Sequence, residues 1–240
     1  MTPAPRQAFD VVVVMPVYNE EGCIAAVVRA WVDTLDGLGI KAQLRVLDDG
    51  STDSTPEALG AFASDPRVDV VRKPNSGHGP TILLGYRTAS RDADWVFQVD
   101  SDGELDPSDF APLWNARHDY DGVFGIRTNR TQSFGRQVVS LASRTIVRLL
   151  FGEGVTDVNV PFRLMRGTVL AELAAAIPPG TFAPNVIISG EFGRKHFRIL
   201  NVPVNHTPRR TGTSSVASLR LLRLAARSAR ETIRYRFAVR

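Results

Sequence analysis

Apolar segments that alternate with helical patterns dominate the first 110 residues, and this alternation is the strongest constraint on the fold. Four such segments are predicted to be buried strands: 11–15, 44–47, 68–71 and 95–99. Amphipathic spacing predicts helices between them, over 20–35, from Asp53 onward and over 80–89. Strands that alternate with helices build βαβ units, so we expect an α/β protein with a mostly parallel central sheet flanked by helices.

The second half of the chain is less regular. Helical spacing predicts an amphipathic helix over 135–151 and a long helix from Ser214 to about Phe237. Strands are predicted over 160–165 and 197–204. We see neither an internal repeat nor a low-complexity linker in the sequence.

Composition places the chain among ordinary globular proteins, since 43% of its 240 residues are hydrophobic and 22% are charged. Cys23 is the single cysteine, so no disulfide can form within the chain, which is typical of a reducing compartment. The first ten residues lack the pattern of a signal peptide, and no apolar run reaches the roughly 18 residues that span a bilayer. We therefore expect a cytoplasmic protein that does not cross a membrane by itself.

Positive charge is concentrated at the C-terminal end. Residues 209–240 contain nine arginines and one acid, Glu231, although the whole chain carries a net charge of only +4. On a helical wheel the basic face contains Arg220, Arg223, Arg227, Arg230 and Arg234, and the opposite face contains Leu221, Leu222, Ala225, Ala229 and Ile233. Such a helix suits an anionic membrane surface. A helix that packs its apolar face on the body of the protein explains the pattern equally well.

A polar cluster follows each of the first four predicted strands. The clusters span 16–20, 48–51, 75–79 and 100–104. In open parallel sheets, ligands bind outside the carboxyl ends of the strands. The sequence therefore predicts one binding site to which all four clusters contribute.

Five acids crowd the segment after the fourth strand: Asp100, Asp102, Glu104, Asp106 and Asp109. Alternate carboxylates such as Asp100, Asp102 and Glu104 suit Mg²⁺ or Mn²⁺, with phosphates and water completing the shell. A solvated turn that begins a helix is the competing interpretation. It fits Asp106 and Asp109 well, because negative charge is favourable in the first turn of a helix.

The cluster at 48–51 offers adjacent carboxylates, Asp48 and Asp49, where other doubly wound folds bind a nucleobase or ribose. Turn and capping chemistry explains Gly50, Ser51 and Asp53. The glycine-rich stretch 75–79 could bring backbone close to a ligand, but a simple loop explains it better, and His78 is interpreted as an exposed loop residue.

Arginines recognise phosphate through two parallel hydrogen bonds, and several occur late in the chain, after the apolar Val123-Phe124 that ends at Gly125 or after the strand predicted over 197–204. They are Arg127, Arg130, Arg136, Arg144, Arg148, Arg209 and Arg210. A solvated helix face is the competing interpretation, and it is the better one for Arg144 and Arg148.

Seven motifs occur in order along the chain. They are VVMPVYNEE at 13–21, VLDDGSTDST at 46–55, KPNSGHGPTILLGYRTA at 73–89, DSDGELDP at 100–107, GIRTNR at 125–130, DVNVPFRLMR at 157–166 and VPVNHTPRRTGTSS at 202–215. Over about residues 11–215 the chain resembles the family 2 glycosyltransferases, which have the GT-A fold. Within that family it looks most like the polyprenyl-phosphate sugar transferases of the dolichol-phosphate mannose synthase type.

The resemblance, together with the clusters above, implies roles for individual residues. The nucleotide would be bound by Pro16, Tyr18, Glu20, Asp48, Asp49, Asn75, Gly77, Gly79, Asp100 and Ser101. The metal would be bound by Asp100, Asp102 and Glu104, although Glu104 stands where relatives usually have Gln. The acceptor phosphate would be bound by Arg127, Arg130, Arg136 and Ser140, and catalysis would depend on Asp102, Arg127, Arg136 and Arg209.

The implied reaction moves a sugar, with inversion, from a UDP- or GDP-linked donor to a polyprenyl phosphate of the undecaprenyl or dolichyl type, with Mg²⁺ or Mn²⁺ as cofactor. A phosphate acceptor is already ionised near neutral pH and needs positioning rather than a general base. No unambiguous base follows residue 150, because Asp157 belongs to a motif and Glu191 is unplaced. This modestly favours a phosphate acceptor.

The resemblance also implies an organisation for the chain. Residues 1–212 would form the GT-A catalytic domain and 213–240 a C-terminal amphipathic helical tail, peripheral at the inner face of the membrane. Many relatives carry transmembrane helices after the catalytic domain, which leaves room for a separate membrane-protein partner. Val160 and Pro161 replace the usual Ser-Gly, so the acceptor region departs from the family pattern.

Three other activities compete with this interpretation. The nearest is a family 2 enzyme that acts on a hydroxyl of a soluble or polysaccharide acceptor, which would need a base. A sugar nucleotidyltransferase would carry a G-x-G-T-R-L-like loop where 16–20 stands, and a non-catalytic nucleotide-binding module would be expected to lose Asp100 and Asp102. Nucleic acid is not an expected partner.

Overall fold

One seven-stranded sheet forms the centre of the protein. The structure, a computed structural model, describes residues 8–128, 134–206 and 218–238. The strands are β1 (Phe9–Val17), β2 (Ala42–Asp48), β3 (Val68–Arg72), β4 (Ala93–Val99), β5 (Gly122–Thr128), β6 (Phe162–Arg166) and β7 (Ile199–Asn205). Their order is β3-β2-β1-β4-β6-β5-β7, and β6 runs antiparallel to both of its neighbours. The other pairings are parallel, which confirms the predicted α/β class.

Helices cover both faces of the sheet. In the described residues they are α1 (Ile24–Gly37), α2 (Thr55–Gly60), α3 (His78–Asp92), α4 (Phe110–Ala116), α5 (Phe134–Phe151), α6 (Gly167–Ala176), α7 (Pro184–Arg194) and α8 (Ser218–Ala238). The core under α1, α2 and α4 is separate from the core under α3 and α5–α8. Successive strand residues serve opposite faces: Val13 packs in the first core and Val14 in the second.

Three elements of the second half were not predicted: β5, α6 and α7. Helix α7 is buried over nearly its whole length, from Val186 to Gly193, so it has no polar stripe from which a helical period could be recognised. Helix α6 is mainly alanine and leucine and shows only a weak apolar preference for one side. Tertiary packing therefore removed the polar side of α7, and alanine at the exposed positions 175 and 176 weakens the contrast between the two sides of α6.

Helix α8 packs on the body of the protein. Thr232 and Tyr235 are buried against α5 and α7, and Arg236 Nε donates a hydrogen bond to the Leu150 carbonyl at 2.9 Å. Glu231 accepts a hydrogen bond from the Phe182 N–H at 2.7 Å. Ile233, which the helical wheel placed on the apolar face, is 40% exposed. The contact stripe is therefore rotated from the predicted one, because polar side chains find partners on the body.

No helix in the described part of the chain combines the length and apolar content required to cross a bilayer.

Candidate active site

A pocket of about 380 Å³ opens at the carboxyl ends of the parallel strands β1–β4. Nine of the residues predicted to bind nucleotide or metal line it: Pro16, Tyr18, Glu20, Asp49, Asn75, Gly77, Asp100, Ser101 and Asp102. All four polar clusters thus meet in one place. The reason is topological, since the carboxyl ends of neighbouring parallel strands lie at the same edge of the sheet.

Hydrogen bonds tie the loop after β1 to the loop after β2. Asn19 N–H donates to the Ser51 hydroxyl at 3.0 Å, and Asn19 Oδ1 accepts from Thr52 N–H at 2.9 Å. Glu20 N–H donates to the Thr55 hydroxyl at 2.8 Å. Asn19 adopts a φ of 55°, a left-handed conformation that asparagine tolerates better than most residues. These contacts fix the backbone on which the first pocket cluster stands.

The carboxylate of Asp49 organises the glycine-rich loop 75–79. It accepts hydrogen bonds from the N–H groups of Ser76 and Gly77, each at 2.8 Å, and from the ammonium group of Lys73. Burial acts to raise the pKa of Asp49, but the hydrogen bonds from Lys73 and Ser76 outweigh it and lower that pKa below its ordinary value of 3.8. Asp49 is therefore an ionised anchor for the loop as well as a lining residue.

Two glycines of these loops are required by close packing within the protein. A Cβ on Gly50, where φ is 73°, would lie 2.8 Å from the backbone nitrogen of Asn75. A Cβ on Gly79 would overlap the carbonyl group of Phe182. Gly79 was predicted to contact nucleotide, but it is buried against Phe182 and is not one of the lining residues.

Asp48 lies at the end of β2 and is 1% exposed. Its Oδ1 accepts a hydrogen bond from Ser51 N–H at 2.8 Å. Its Oδ2 lies 3.4 Å from Nε of Arg72 but has no hydrogen-bond partner among the described residues. A buried carboxylate oxygen without a donor is unfavourable unless a ligand supplies one. Asp48 is not among the residues that line the pocket, so its contact to a nucleobase or ribose stays a prediction.

Asp100 and Asp102 place two carboxylates on the pocket wall after β4. Asp100 Oδ1 accepts a hydrogen bond from Gln98 Nε2 at 3.0 Å and lies 3.7 Å from His78 Nε2. Burial raises the pKa of Asp100, and the nearby His78 opposes this only in part. Asp100 lines the pocket and its side chain is 28% exposed, so a ligand in the pocket would contact this carboxylate.

Two carboxylates alone make an incomplete metal site. Across 8–128, 134–206 and 218–238, no three His, Cys, Asp or Glu side chains are grouped so as to hold a metal ion. Mg²⁺ is commonly held by one or two carboxylates, with phosphate and water oxygens as the other ligands. A carboxylate desolvated like Asp100 is also stabilised by a nearby cation. Asp100 and Asp102 therefore fit a cation that binds together with a diphosphate.

The other acids of the crowded segment have partners outside the pocket. Glu104 Oε2 lies 2.9 Å from Nε2 of His206, and Asp109 Oδ2 accepts a hydrogen bond from Asn205 N–H at 2.7 Å. Asp106 caps the short 3₁₀ helix Pro107–Asp109, as its predicted role in starting a helix required. Glu104 was predicted as a metal ligand, but the structure places it against the end of β7 and not among the lining residues.

Arg127, at the end of β5, forms a two-point ion pair with Asp157, with distances of 2.9 and 3.0 Å. The two side chains are only 8% and 13% exposed. Two of the three guanidinium nitrogens of Arg127 thus donate to Asp157. Glu191, the other acid considered as a base, is 1% exposed and is bound by Arg194 at both oxygens.

Four predicted residues lie outside the described side chains. Arg136 and Ser140 fall in α5, whose backbone is described there without the side chains. Arg130 and Arg209 fall in 129–133 and 207–217, outside the described residues. Their roles toward an acceptor phosphate remain predictions.

Sequence reasoning missed three residues at this edge. His78 is the first residue of α3 rather than a loop residue, and it lines the pocket. Thr81, one turn further along α3, lines it as well. Lys73, immediately after β3, binds Asp49. The signal available in the sequence was the position of these basic and hydroxyl side chains, between the end of a strand and the first turn of the next helix.

The strand order, with one antiparallel strand next to β4 and an acidic pocket at the carboxyl edge, defines an α/β protein of the GT-A type. The sequence matches the model of glycosyl transferase family 2 over residues 12–173. The chain belongs to this family.

Curated relatives carry the name undecaprenyl-phosphate 4-deoxy-4-formamido-L-arabinose transferase. The protein from Pectobacterium carotovorum subsp. carotovorum (strain PC1) is 29% identical over 219 residues, which cover 90% of this chain and 65% of the relative. The protein from Edwardsiella ictaluri (strain 93-146) is 28% identical over 216 residues, covering 88% and 64%. The chain thus spans about 65% of the length of these relatives.

Solved structures with the same fold include glucosyl-3-phosphoglycerate synthase from Mycobacterium tuberculosis. Its complex with Mn²⁺, UDP-glucose and glycerol 3-phosphate aligns with a TM-score of 0.67 at 21% identity, covering 97% of this chain and 81% of that one. Its complex with UDP gives a TM-score of 0.68 at 19% identity, covering 95% and 80%. At this level of identity the likeness establishes the GT-A fold.

Proposed function

We propose that this protein transfers a sugar from a nucleotide-sugar donor to a polyprenyl phosphate, with inversion at the anomeric carbon and with a divalent metal as cofactor. The observation that carries the proposal is the pocket in which Asp100 and Asp102 face the clusters after β1, β2 and β3. Membership of family 2 and the names of the relatives, which specify undecaprenyl phosphate, support the same activity.

The donor nucleotide is assigned to the side of the pocket formed by the first three clusters. Tyr18 is 48% exposed and offers an aromatic face. Asp48, whose Oδ2 has no hydrogen-bond partner among the described residues, is the proposed acceptor for an N–H of the base or for a ribose hydroxyl. Loop 75–79, fixed by Asp49, supplies Asn75 and Gly77 to the opposite wall. These groups bind and orient the donor.

The diphosphate is assigned to the side of the pocket formed by Asp100 and Asp102, which would hold Mg²⁺ or Mn²⁺. The bound cation would offset the charge that develops on the departing nucleoside diphosphate. His78, 3.7 Å from Asp100, adds a basic side chain to the same wall. The Mn²⁺ named with UDP-glucose in structures of the same fold supports a divalent cofactor here.

A phosphate acceptor is supported by the state of the two acids weighed as general bases. Asp157 is engaged by Arg127, and Glu191 is buried and engaged by Arg194. A phosphate monoester is ionised near neutral pH, so transfer to it requires positioning instead of proton removal. Arg127, Arg130, Arg136, Ser140 and Arg209 are the proposed acceptor-side and phosphate-side groups.

We assign catalysis to residues 1–212 and a peripheral membrane contact to the tail, 213–240, at the inner face of the membrane. The outer side of α8 exposes Arg223, Arg230 and Arg234, and Phe237, one turn beyond Arg234, is 71% exposed. Leu149 of α5, 81% exposed, directly precedes the Leu150 carbonyl that contacts Arg236. Arginines beside exposed apolar side chains suit an anionic lipid surface.

This membrane contact is tested by sedimentation with vesicles. The protein is expected to sediment with vesicles containing anionic phosphatidylglycerol and to stay in solution with phosphatidylcholine alone. Phe237→Ser should weaken the binding, whereas Leu84→Ser, at a 38% exposed apolar residue of α3, should not. Equal sedimentation with both vesicle types would contradict the assignment.

The alternative is transfer to a hydroxyl group of a soluble or polysaccharide acceptor. It is favoured by the structures of similar fold, one of which was solved with phosphoglyceric acid. A membrane-protein partner, expected from the resemblance, stays a further proposal.

The decisive experiment supplies purified protein with Mn²⁺ or Mg²⁺, a panel of radiolabelled UDP- and GDP-sugars, and undecaprenyl or dolichyl phosphate in detergent. Label in a mild-acid-labile lipid is the expected result. Label that enters only water-soluble products would favour the hydroxyl acceptor, and no transfer from any donor would overturn the proposed activity.

A further inference from the structure

The side chain of Gln98 is a fully buried amide on the central sheet. It is 0% exposed and lies on the same face of β4 as Val96, in the core beneath α3, α6 and α7. A buried amide destabilises the fold unless its donors and acceptor are paired. The partners of Gln98 therefore show what this position does.

Both ends of the amide have partners. Nε2 donates to Asp100 Oδ1 at 3.0 Å, and Oε1 accepts from Asn185 Nδ2 at 3.1 Å. The Tyr86 hydroxyl donates to Asn185 Oδ1 at 2.7 Å and lies 3.3 Å from Gln98 Oε1. A reversed amide would bring its oxygen against Asp100 Oδ1, and two acceptors repel. The hydrogen-bond pattern thus fixes the direction in which Gln98 donates.

The far end of this chain of contacts is held rigidly. Arg163, 0% exposed, donates to the backbone carbonyl of Asn185 at 3.1 Å and to the carbonyl of Val160 through two nitrogens. Arg163 is also the neighbour of Gln98 across the antiparallel pair β4–β6. The contacts therefore link β6, α7 and β4 to the carboxylate of Asp100, which lines the pocket.

We propose that Gln98 is a positioning residue, which holds Asp100 in the orientation that binds the cation and diphosphate of the donor. The proposal rests on the proposed function. Gln98 donates a hydrogen bond to Asp100 Oδ1 from the core side. The carboxylate therefore cannot rotate away from the pocket without breaking this hydrogen bond. A carboxylate accepts several bonds at once, so this contact leaves capacity for a ligand. Partners behind a metal ligand are known to tune its affinity.

The test measures the binding of Mn²⁺ in the presence of UDP and, in a separate experiment, of GDP. The electron paramagnetic resonance signal of free Mn²⁺ reports how much of the ion stays unbound. Gln98→Met keeps the size of the side chain and removes the donor. It is expected to weaken Mn²⁺ binding about tenfold, the lower end of the effect of such partners. Tyr86→Phe is the matched control, because it removes a hydroxyl from the network without touching Asp100, and binding should stay within about twofold.

Three results would decide the matter. Wild-type Mn²⁺ affinity in folded Gln98→Met would overturn the positioning role. An equal loss of Mn²⁺ affinity in Tyr86→Phe would also overturn it, since that result would indicate a general effect of core packing. If Gln98→Met does not unfold cooperatively, the triple variant Tyr86→Phe, Gln98→Met, Asn185→Leu removes the unpaired groups as well, and the same tenfold loss is expected. Absence of Mn²⁺ binding with either nucleotide in the unsubstituted protein would overturn the proposed function itself, together with this inference.

Discussion

Glu104 Oε2 lies 2.9 Å from Nε2 of His206, so the acidic loop after β4 is fastened to the residue that follows β7. The imidazole is largely buried, with its side chain 10% exposed, and Glu104 is 31% exposed. A second bond, from Asn205 N–H to Asp109, fastens the same two segments. Neighbouring acids of the same loop therefore have different roles: Asp100 and Asp102 line the pocket, whereas Glu104 and Asp109 hold two segments together.

Replacement of Glu104 by Ala, which leaves no oxygen ligand at this position, is expected to leave the Mn²⁺ dependence of transfer unchanged. The variant loses a charge-assisted hydrogen bond to His206, and we expect the free energy of unfolding to fall by about 1 kcal/mol. Activity measured against Mn²⁺ concentration and denaturant unfolding check the two parts. A tenfold higher Mn²⁺ requirement would show that Glu104 binds the metal after all.

Asp102→Ala is expected to lower the rate of transfer on the order of 100-fold or more, because a carboxylate facing the diphosphate is lost. The thermal unfolding transition should stay close to that of the unsubstituted protein, since the fold does not depend on the ion. Asp106→Ala is the matched control from the same loop, where the carboxylate caps a 3₁₀ helix. Full activity of Asp102→Ala with donor and Mn²⁺ would refute the metal assignment.

Arg136→Ala is expected to raise the KM for polyprenyl phosphate more than the KM for the nucleotide sugar. The physical reason is the loss of a two-point hydrogen bond to the acceptor phosphate. Arg148→Ala, in the same helix, removes an exposed arginine that pairs with Glu153 and should change neither constant. Equal increases in both KM values for Arg136→Ala would argue against an acceptor role.

Asp49→Asn is expected to lower the free energy of unfolding by about 1–3 kcal/mol at neutral pH, because the N–H groups of Ser76 and Gly77, in partly buried hydrogen bonds, and the Lys73 ammonium lose a charged acceptor. The pKa of Asp49 is lowered in the folded state, so its contribution is present above the ordinary value of 3.8 and is lost as the pH falls through the folded value. The difference between variant and wild type should therefore shrink under acid conditions. Denaturant unfolding at pH 7 and pH 3 measures it, and a difference that grows toward pH 3 would be the opposite of this expectation.

Local sequence pattern predicted the first half of the fold closely. The strands expected at 11–15 and 44–47 are observed as Phe9–Val17 and Ala42–Asp48, extended by partly buried residues at their N-terminal ends and by buried ones at their C-terminal ends. Helix α7 was missed because it is buried on nearly every side and has no polar stripe, and α6 because alanines occupy part of its exposed side. A helical period of hydrophobicity can be recognised only where the two sides of a helix differ clearly in polarity.

The sequence by itself determined the alternation of strands and helices, the family, and the edge of the sheet at which the polar clusters meet. That follows because side-chain periodicity and chain direction are local properties, and parallel strands end on the same side. Only the tertiary structure decided which acids face the pocket. Asp100 and Asp102 line it, Glu104 turns to His206, and Arg127 is engaged by Asp157, because each charge in a low-dielectric surrounding pairs with whatever opposite charge or donor the packed chain brings within reach.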